Sequence, residues 1–218
     1  YKAAQQNGEI TNPRENVLIF TSPVRNGVHL NTTRVVKYDP VDVDGLSTAE
    51  FEGRRQMIEI YNFLRDHTKF AADAQLEQGG AEIGIRESRR IEGEYELTKE
   101  DLLATRKFPD AIARGVYDID VHNPEGTGTT IIHIPENDYY TIPYRSLVHT
   151  GADNLLAAGR DICSTHEAHS SVRIMPTTTC MGEAAGIAAA MALRRQIPVR
   201  EIDTAELRRA IVAYGGLC

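Results

Sequence analysis

Apolar and polar positions along the chain fall into local patterns that each predict an element. Asn16–Thr21 (NVLIFT) and Val28–Val36 (VHLNTTRVV) are short runs rich in β-branched residues, the signature of strands. Arg25-Asn26-Gly27 lies between them, and Asn-Gly tolerates the positive φ of a tight turn, so a β-hairpin is predicted. After the polar link Lys37–Gly45, Ser47 with Glu50 forms a capping box. Phe51, Ile58, Tyr61, Phe63 and Leu64 then carry a helix to about Asp66, with Arg54, Arg55 and Glu59 turned to solvent.

Ala81–Ile91 (AEIGIRESRRI) alternates: Ile83 and Ile85 share one face of a predicted strand while Arg86, Ser88 and Arg90 share the other. Gly93 breaks the run, Tyr95–Leu97 reads as a second strand, and Thr98 with Asp101 caps a short helix through Arg106, stopped by Pro109. Asn123–Gly128 is a turn-rich loop. Thr129–Ile134 and Tyr139–Tyr144, separated by Pro135–Asp138, read as an antiparallel pair.

The pattern then changes. Asn154–Ala158 is an apolar run closed by Gly159, a buried-strand signal; a long polar loop follows, and Thr179–Arg195 is a helix built largely of Ala, Gly and Met. Asp203, with Glu206 at the capping-box position, starts a last helix whose stripe is Leu207, Ala210, Ile211 and Tyr214 and which Gly215 stops. The expected class is a mixed α/β fold, strand-rich over residues 1–150 and strand–helix–helix over 151–218.

Composition narrows the partners. The 218 residues carry a net charge of −7, which gives no basic footprint for nucleic acid. No run is long and apolar enough for a membrane span, and Tyr1–Ile10 lacks the apolar stretch of a signal peptide. A small-molecule ligand is expected instead. The three cysteines, Cys163, Cys180 and Cys218, have no CxxC spacing and read as reduced thiols, which with the absent signal favours the cytoplasm. The first residue is not Met, so sequence upstream is expected.

Few motifs point to chemistry unaided. Gly126–Ile131 (GTGTTI) starts like a dinucleotide fingerprint but lacks the third Gly and leads into a strand, and no other stretch supplies GxGxxG or a P-loop. His166-Glu167-Ala168-His169 is one residue short of the HExxH spacing and offers no obvious third ligand, so no metal is assigned. Its histidines are either polar loop residues or, for His166, a proton donor or anion contact. Arg86, Arg89 and Arg90 form either a salt-bridged edge, with Glu87, Glu92 and Glu94 as partners, or an anion site. Gly182 and Gly186, with Ala185, Ala189 and Ala190, leave a nearly bare helix surface for close backbone approach. The N-terminus of that helix, edged by Thr177, Thr178 and Thr179, favours an electron-rich ligand atom.

Several separated stretches together resemble one family. Asn154–Arg160 (NLLAAGR), Thr165–Ala168 (THEA), Ser171–Arg173 (SVR) and Gly182–Ala190 resemble the C-terminal signature of the FAD-dependent oxidoreductases, in the glutathione-reductase-like flavoprotein group. Ile83–Ile91, Gly93–Thr98 and Phe108–Gly115 (FPDAIARG) look like that family's middle region. The resemblance implies an antiparallel-sheet substrate domain joined to the last strand and helices of a Rossmann-like FAD domain, with the Gly-rich unit for the ADP half of FAD lying N-terminal to these residues. It implies Gly159, Arg160, Met181, Gly182 and Ala185 near the cofactor. His166 is then polariser or proton donor and Arg173 an anion clamp, similar to the His and Arg pair of fumarate-reductase-type flavoproteins, with Ser171, Arg86 and Arg90 on the substrate side. Glu183 departs from the Gln usual there; it either points away, accepting helix N-terminal N–H bonds, or alters the redox tuning.

The implied activity is hydride transfer between flavin and a small polar or anionic substrate. FAD binding by these residues alone is expected to be weak or absent, and apolar surface left for the missing segment predicts self-association. The alternatives are a non-catalytic ligand-binding or assembly fragment that does not hold FAD, and metal-dependent hydrolysis through His166 and His169.

Overall fold

The computed structural model describes residues 1–122 and 128–218. It is a mixed α/β chain of helices and small two-stranded sheets. Two compact units are formed, one from 1–85 with 122–129 and the other from 86–121 with 130–218. Most of the predicted Asn123–Gly128 loop, and with it the start of Gly126–Ile131, lies outside the described residues.

In the first unit, α1 (Lys2–Gln6) precedes the hairpin of β1 (Ile19–Thr21) and β2 (Val28–Leu30), antiparallel with Thr21 opposite Val28. Asn26 takes the left-handed conformation at φ 61, as an Asn-Gly turn requires. The loop is wider than a two-residue turn, closed by Ser22 N–H on the Gly27 carbonyl at 3.3 Å. Helix α2 (Val43–His67) starts a turn earlier than the Ser47 cap predicts. Asp42 accepts from Gly45 N–H at 2.7 Å, and the Ser47 hydroxyl bonds back to Val43 O inside the helix. Its buried stripe is Ala49, Gly53, Gln56, Ile60 and Leu64, and the predicted core residue Phe51 is 78% exposed. A polar residue holds the centre of that stripe because its amide is saturated: Gln56 accepts from Asn12 and from Arg34 N–H and donates to Arg34 O. Glu59 likewise turns from solvent to accept from the Thr11 and Asn12 amides.

In the second unit, the Thr98–Asp101 capping box forms as predicted and starts α3 (Lys99–Leu103). The helix ends before Arg106 because Thr105 turns left-handed at φ 46. Strand β3 (Ala111–Gly115) pairs antiparallel with β6 (Tyr140–Pro143), Gly115 opposite Tyr140. A side chain at Gly115 would meet the Tyr140 ring at 2.3 Å, so that pairing requires glycine. Strands β4 (Ile119–His122) and β5 (Thr129–Ile132) form the third sheet. The predicted pairing of Thr129–Ile134 with Tyr139–Tyr144 is therefore replaced by two different partners.

Among the described residues three other predicted strands make no ladder, Tyr95–Leu97 having only a single bridge from Leu97 to Ser164. Ile91 N–H reaches Asp161 O, but 81–91 is otherwise irregular. Asn154–Ala158 makes a single bridge, Leu156 with Val148, and Leu155 is 45% exposed. The polar stretch between Gly159 and the small-residue helix contains α4 (His166–Val172), and α5 (Met175–Arg195) begins a turn before Thr179. Met181, Ala184, Ala188 and Ala192 bury one side of α5 in a core with Ile112, Ile142 and Tyr140, and it ends on a left-handed Gln196. In α6 (Thr204–Ala213), Asp203 caps Ala205 and Glu206 N–H, while the Glu206 side chain pairs with Arg195 instead of closing a capping box. Leu207 and Ile211 are buried, Tyr214 is exposed, and Gly215 at φ 93 stops the helix.

Candidate functional site

Helix α4 is set by Thr165, whose hydroxyl accepts from Ala168 N–H at 3.4 Å. Three-residue spacing puts His166 and His169 on neighbouring positions of one side, and both face Glu87. His166 Nδ1 lies 2.7 Å from Glu87 Oε2 and His169 Nδ1 3.9 Å from the same oxygen. Arg90 pairs with the other oxygen of that carboxylate. Burial alone would raise the Glu87 carboxyl, but hydrogen bonds from His166 and Arg90 and the nearby positive charge outweigh it and hold it below the ordinary carboxylate value.

The two histidines differ. His169 is fully buried, and its Nε2 lies 3.0 Å from the Arg160 carbonyl; a carbonyl only accepts, so Nε2 carries the proton. Burial depresses its basicity despite the Glu87 charge, so the ring is neutral and its Nδ1 lone pair is left without a hydrogen-bond partner. His166 is half exposed and is the ring that can exchange with solvent or ligand.

The turn after α4 carries the site to a second place. Arg173 Nη2 donates to Asp120 O at 3.4 Å, and Ser171 donates to Tyr117 O while accepting from the Tyr140 hydroxyl. Burial and the repulsion of Arg86 both weigh against the Arg173 charge, which Asp120 and Glu87 partly offset. The guanidinium stays protonated, so the shift expresses a cost of holding it there. Tyr117, Asp118 and Asp120 also line a cleft of ≈ 430 Å³, completed by Arg114–Val116, Ile131 and the α5 start at Ile174, Pro176 and Thr177. Ile174 gives α5 no side-chain cap, and proline sits in the first turn where its missing N–H costs nothing. The remaining first-turn N–H groups leave the positive helix end at the cleft.

A family model for FAD dependent oxidoreductases matches residues 1–211, nearly the whole chain. The chain belongs to the FAD dependent oxidoreductase family. Comparison with curated proteins and with solved structures gave no match.

In this FAD dependent oxidoreductase the start of α5 has no side-chain cap, and Gly159, at φ 92, opposes Thr178 in the first turns of the same helix. The other expected cofactor residues are spread about α5: Met181 is in the core, Ala185 is half-buried, and Gly182 is exposed with open space beside it. Arg160 is exposed and contributes its carbonyl to His169. Glu183 lies in the third turn, too far along to accept N-terminal N–H bonds, and its carboxylate sits near Gly216. Of the substrate-side residues, His166 and Arg90 meet at Glu87 and Arg86 lies within electrostatic reach of Arg173, whereas Ser171 is fully buried. Glu87 was legible only as one acid among the arginines of 86–90. Tyr117, Asp118 and Asp120 carried no sequence signal, since nothing local places them beside α5. Among the described residues no three His, Cys, Asp or Glu are grouped to hold a metal, the three cysteines are unpaired, and no helix is long and apolar enough to cross a membrane.

Proposed function

We propose that this chain is the C-terminal portion of an FAD-dependent oxidoreductase acting on a small polar or anionic substrate, with a substrate domain over 1–150 and the C-terminal part of an FAD-binding domain over 151–218. The single observation that carries this reading is the uncapped start of α5 opening on a cleft whose Tyr117–Asp120 wall is also held by Ser171 and Arg173. FAD, when bound, supplies a two-electron acceptor or donor that exchanges hydride with substrate. The α5 N–H groups and Gly159 hold its pyrimidine edge and favour negative charge there. Arg173, with Arg86 and Arg90, attracts a substrate anion, and the strain of keeping Arg173 half-buried beside Arg86 is relieved when that anion arrives. His166 gives or takes a proton through its ring. The Gly-rich cradle for the ADP half comes from another segment of the enzyme, which makes flavin binding by these residues alone weak.

The test is flavin titration by fluorescence quenching, first of the chain as given and then with an upstream Gly-rich βαβ segment restored. Weak binding that becomes stoichiometric on restoration is expected. A yellow, stoichiometric chain without that segment overturns the weak-binding part of the proposal, and no flavin binding after restoration overturns the whole.

A further inference from the structure

Either ring nitrogen of His166 can carry the proton that it exchanges. From the contact of its Nδ1 with an ion-paired carboxylate, we infer that Glu87 is the positioning residue for His166, holding it as the Nδ1–H tautomer with Nε2 presented to substrate. This inference rests on the proposed function for its consequence, though the tautomer itself does not.

Three observations carry it. First, Glu87 Oε2 lies 2.7 Å from His166 Nδ1, a hydrogen-bonding separation, and an ionised carboxylate can only accept, so the proton must reside on Nδ1. Second, the carboxylate is itself held: Arg90 engages its other oxygen, and its side chain is only 23% exposed. A fixed acceptor sets both the tautomer and the plane of the ring it binds. Third, the neighbouring histidine does not compete for the acceptor. His169 spends its one ring proton on the Arg160 carbonyl, and its unpartnered, fully buried Nδ1 presents a lone pair toward Glu87, not a donor. The charged groups about this pair are Arg90, which engages Glu87, Arg173, within electrostatic reach of Glu87 and of Arg86, and Glu167, next to His166 in sequence and 3.6 Å from Lys99. The hydrogen bonds from His166 and Arg90 keep Glu87 ionised.

An imidazole in water prefers the opposite tautomer, so the arrangement has a direct spectroscopic signature. Two-bond and three-bond ¹H–¹⁵N correlations of the histidine rings, recorded in mildly alkaline buffer, distinguish the protonated nitrogen; His166→Gln assigns the signal among the seven histidines. The chain is expected to show His166 protonated on Nδ1. Glu87→Ala is expected to move the proton predominantly to Nε2, and Glu87→Gln, whose amide oxygen still accepts, is expected to keep it on Nδ1. An Nε2–H tautomer in the unaltered chain overturns the inference, as does an Nδ1–H tautomer that survives Glu87→Ala. If Glu87→Ala does not fold, the unaltered chain decides alone, with Glu87→Gln as its check. A correct tautomer in an enzyme that shows no turnover after flavin and the upstream segment are restored sinks the functional reading and leaves the positioning intact.

Discussion

The Tyr140 hydroxyl lies 2.8 Å from Ser171 Oγ in the core of the second unit, and Ser171 hands its own proton to the Tyr117 carbonyl. The direction is forced, because the carbonyl can only accept, so Tyr140 donates to Ser171. Ser171→Ala removes both bonds and strands a buried tyrosine hydroxyl and a carbonyl. A loss of about 1–3 kcal/mol is expected, read as a lower urea midpoint with unchanged slope. A fully stable Ser171→Ala chain that loses only ligand binding would return Ser171 to the substrate side.

The same tyrosine makes the fold sensitive to alkali. Burial pushes Tyr140 up to about 12 even with its hydrogen bond to Ser171, and burial raises Tyr144 further still. The neutral phenol is favoured in the folded state, so this stability is complete below the ordinary tyrosine value near 10 and is lost as pH rises from about 10 through 12. At about 1.4 kcal/mol per unit, Tyr140 accounts for on the order of 2–3 kcal/mol of that loss. Urea midpoints followed across the alkaline range should fall, and less steeply in Tyr140→Phe.

Asp101 acts at the other end of the scale. Burial works to raise its carboxyl, but Thr98 N–H, Tyr95, Arg106 and the Thr98 hydroxyl together hold it below the ordinary aspartate value. Its contribution is therefore present above the unfolded value near 4 and disappears as pH falls through the lower folded one. Asp101→Asn should cost about 1–3 kcal/mol at neutral pH, with the difference from the unaltered chain closing in strong acid.

Arg173 is expected to separate stability from function. Neither its burial nor Arg86 favours its charge, so Arg173→Met should leave the urea midpoint unchanged or raise stability by up to about 1 kcal/mol. In the flavin-loaded, restored enzyme the same change should lower kcat/KM for an anionic substrate by about 100-fold, the scale on which one charge-stabilising donor acts. A destabilised Arg173→Met chain with normal turnover would make the residue structural.

What was legible in the sequence follows from how far apart the interacting groups lie. The Thr98 and Asp203 caps are contacts between residues two or three apart, so residue type alone reveals them. Helix α5 declares itself by composition. The Asp42 cap of α2 and the Thr165 cap of α4 are local contacts that were missed, and the other failures are non-local. Ile83, Ile85 and the arginines alternate like a strand, yet among the described residues no partner strand lies along them, and the segment is held by scattered contacts such as Ile91 to Asp161. Strand β6 passes over its sequence neighbour β5 to reach β3, a choice made by Gly115 giving way to the Tyr140 ring. Phe51 is exposed and Gln56 buried because a saturated amide can be buried and a lone aromatic can be exposed. In the candidate site, His166 and Arg173 stood out by type, while Glu87, Tyr117 and Asp120 become visible only when α4 is folded against them.

The left-handed turn at Gln196 that closes α5 has a practical consequence. That backbone shape penalises a residue with a side chain by roughly 1–2 kcal/mol, and glycine adopts it freely. Gln196→Gly should return on the order of 1 kcal/mol, visible as a higher melting temperature. It touches neither the cleft nor the histidines of α4, so it offers a sturdier parent in which the variants above can be compared without the weakest of them unfolding.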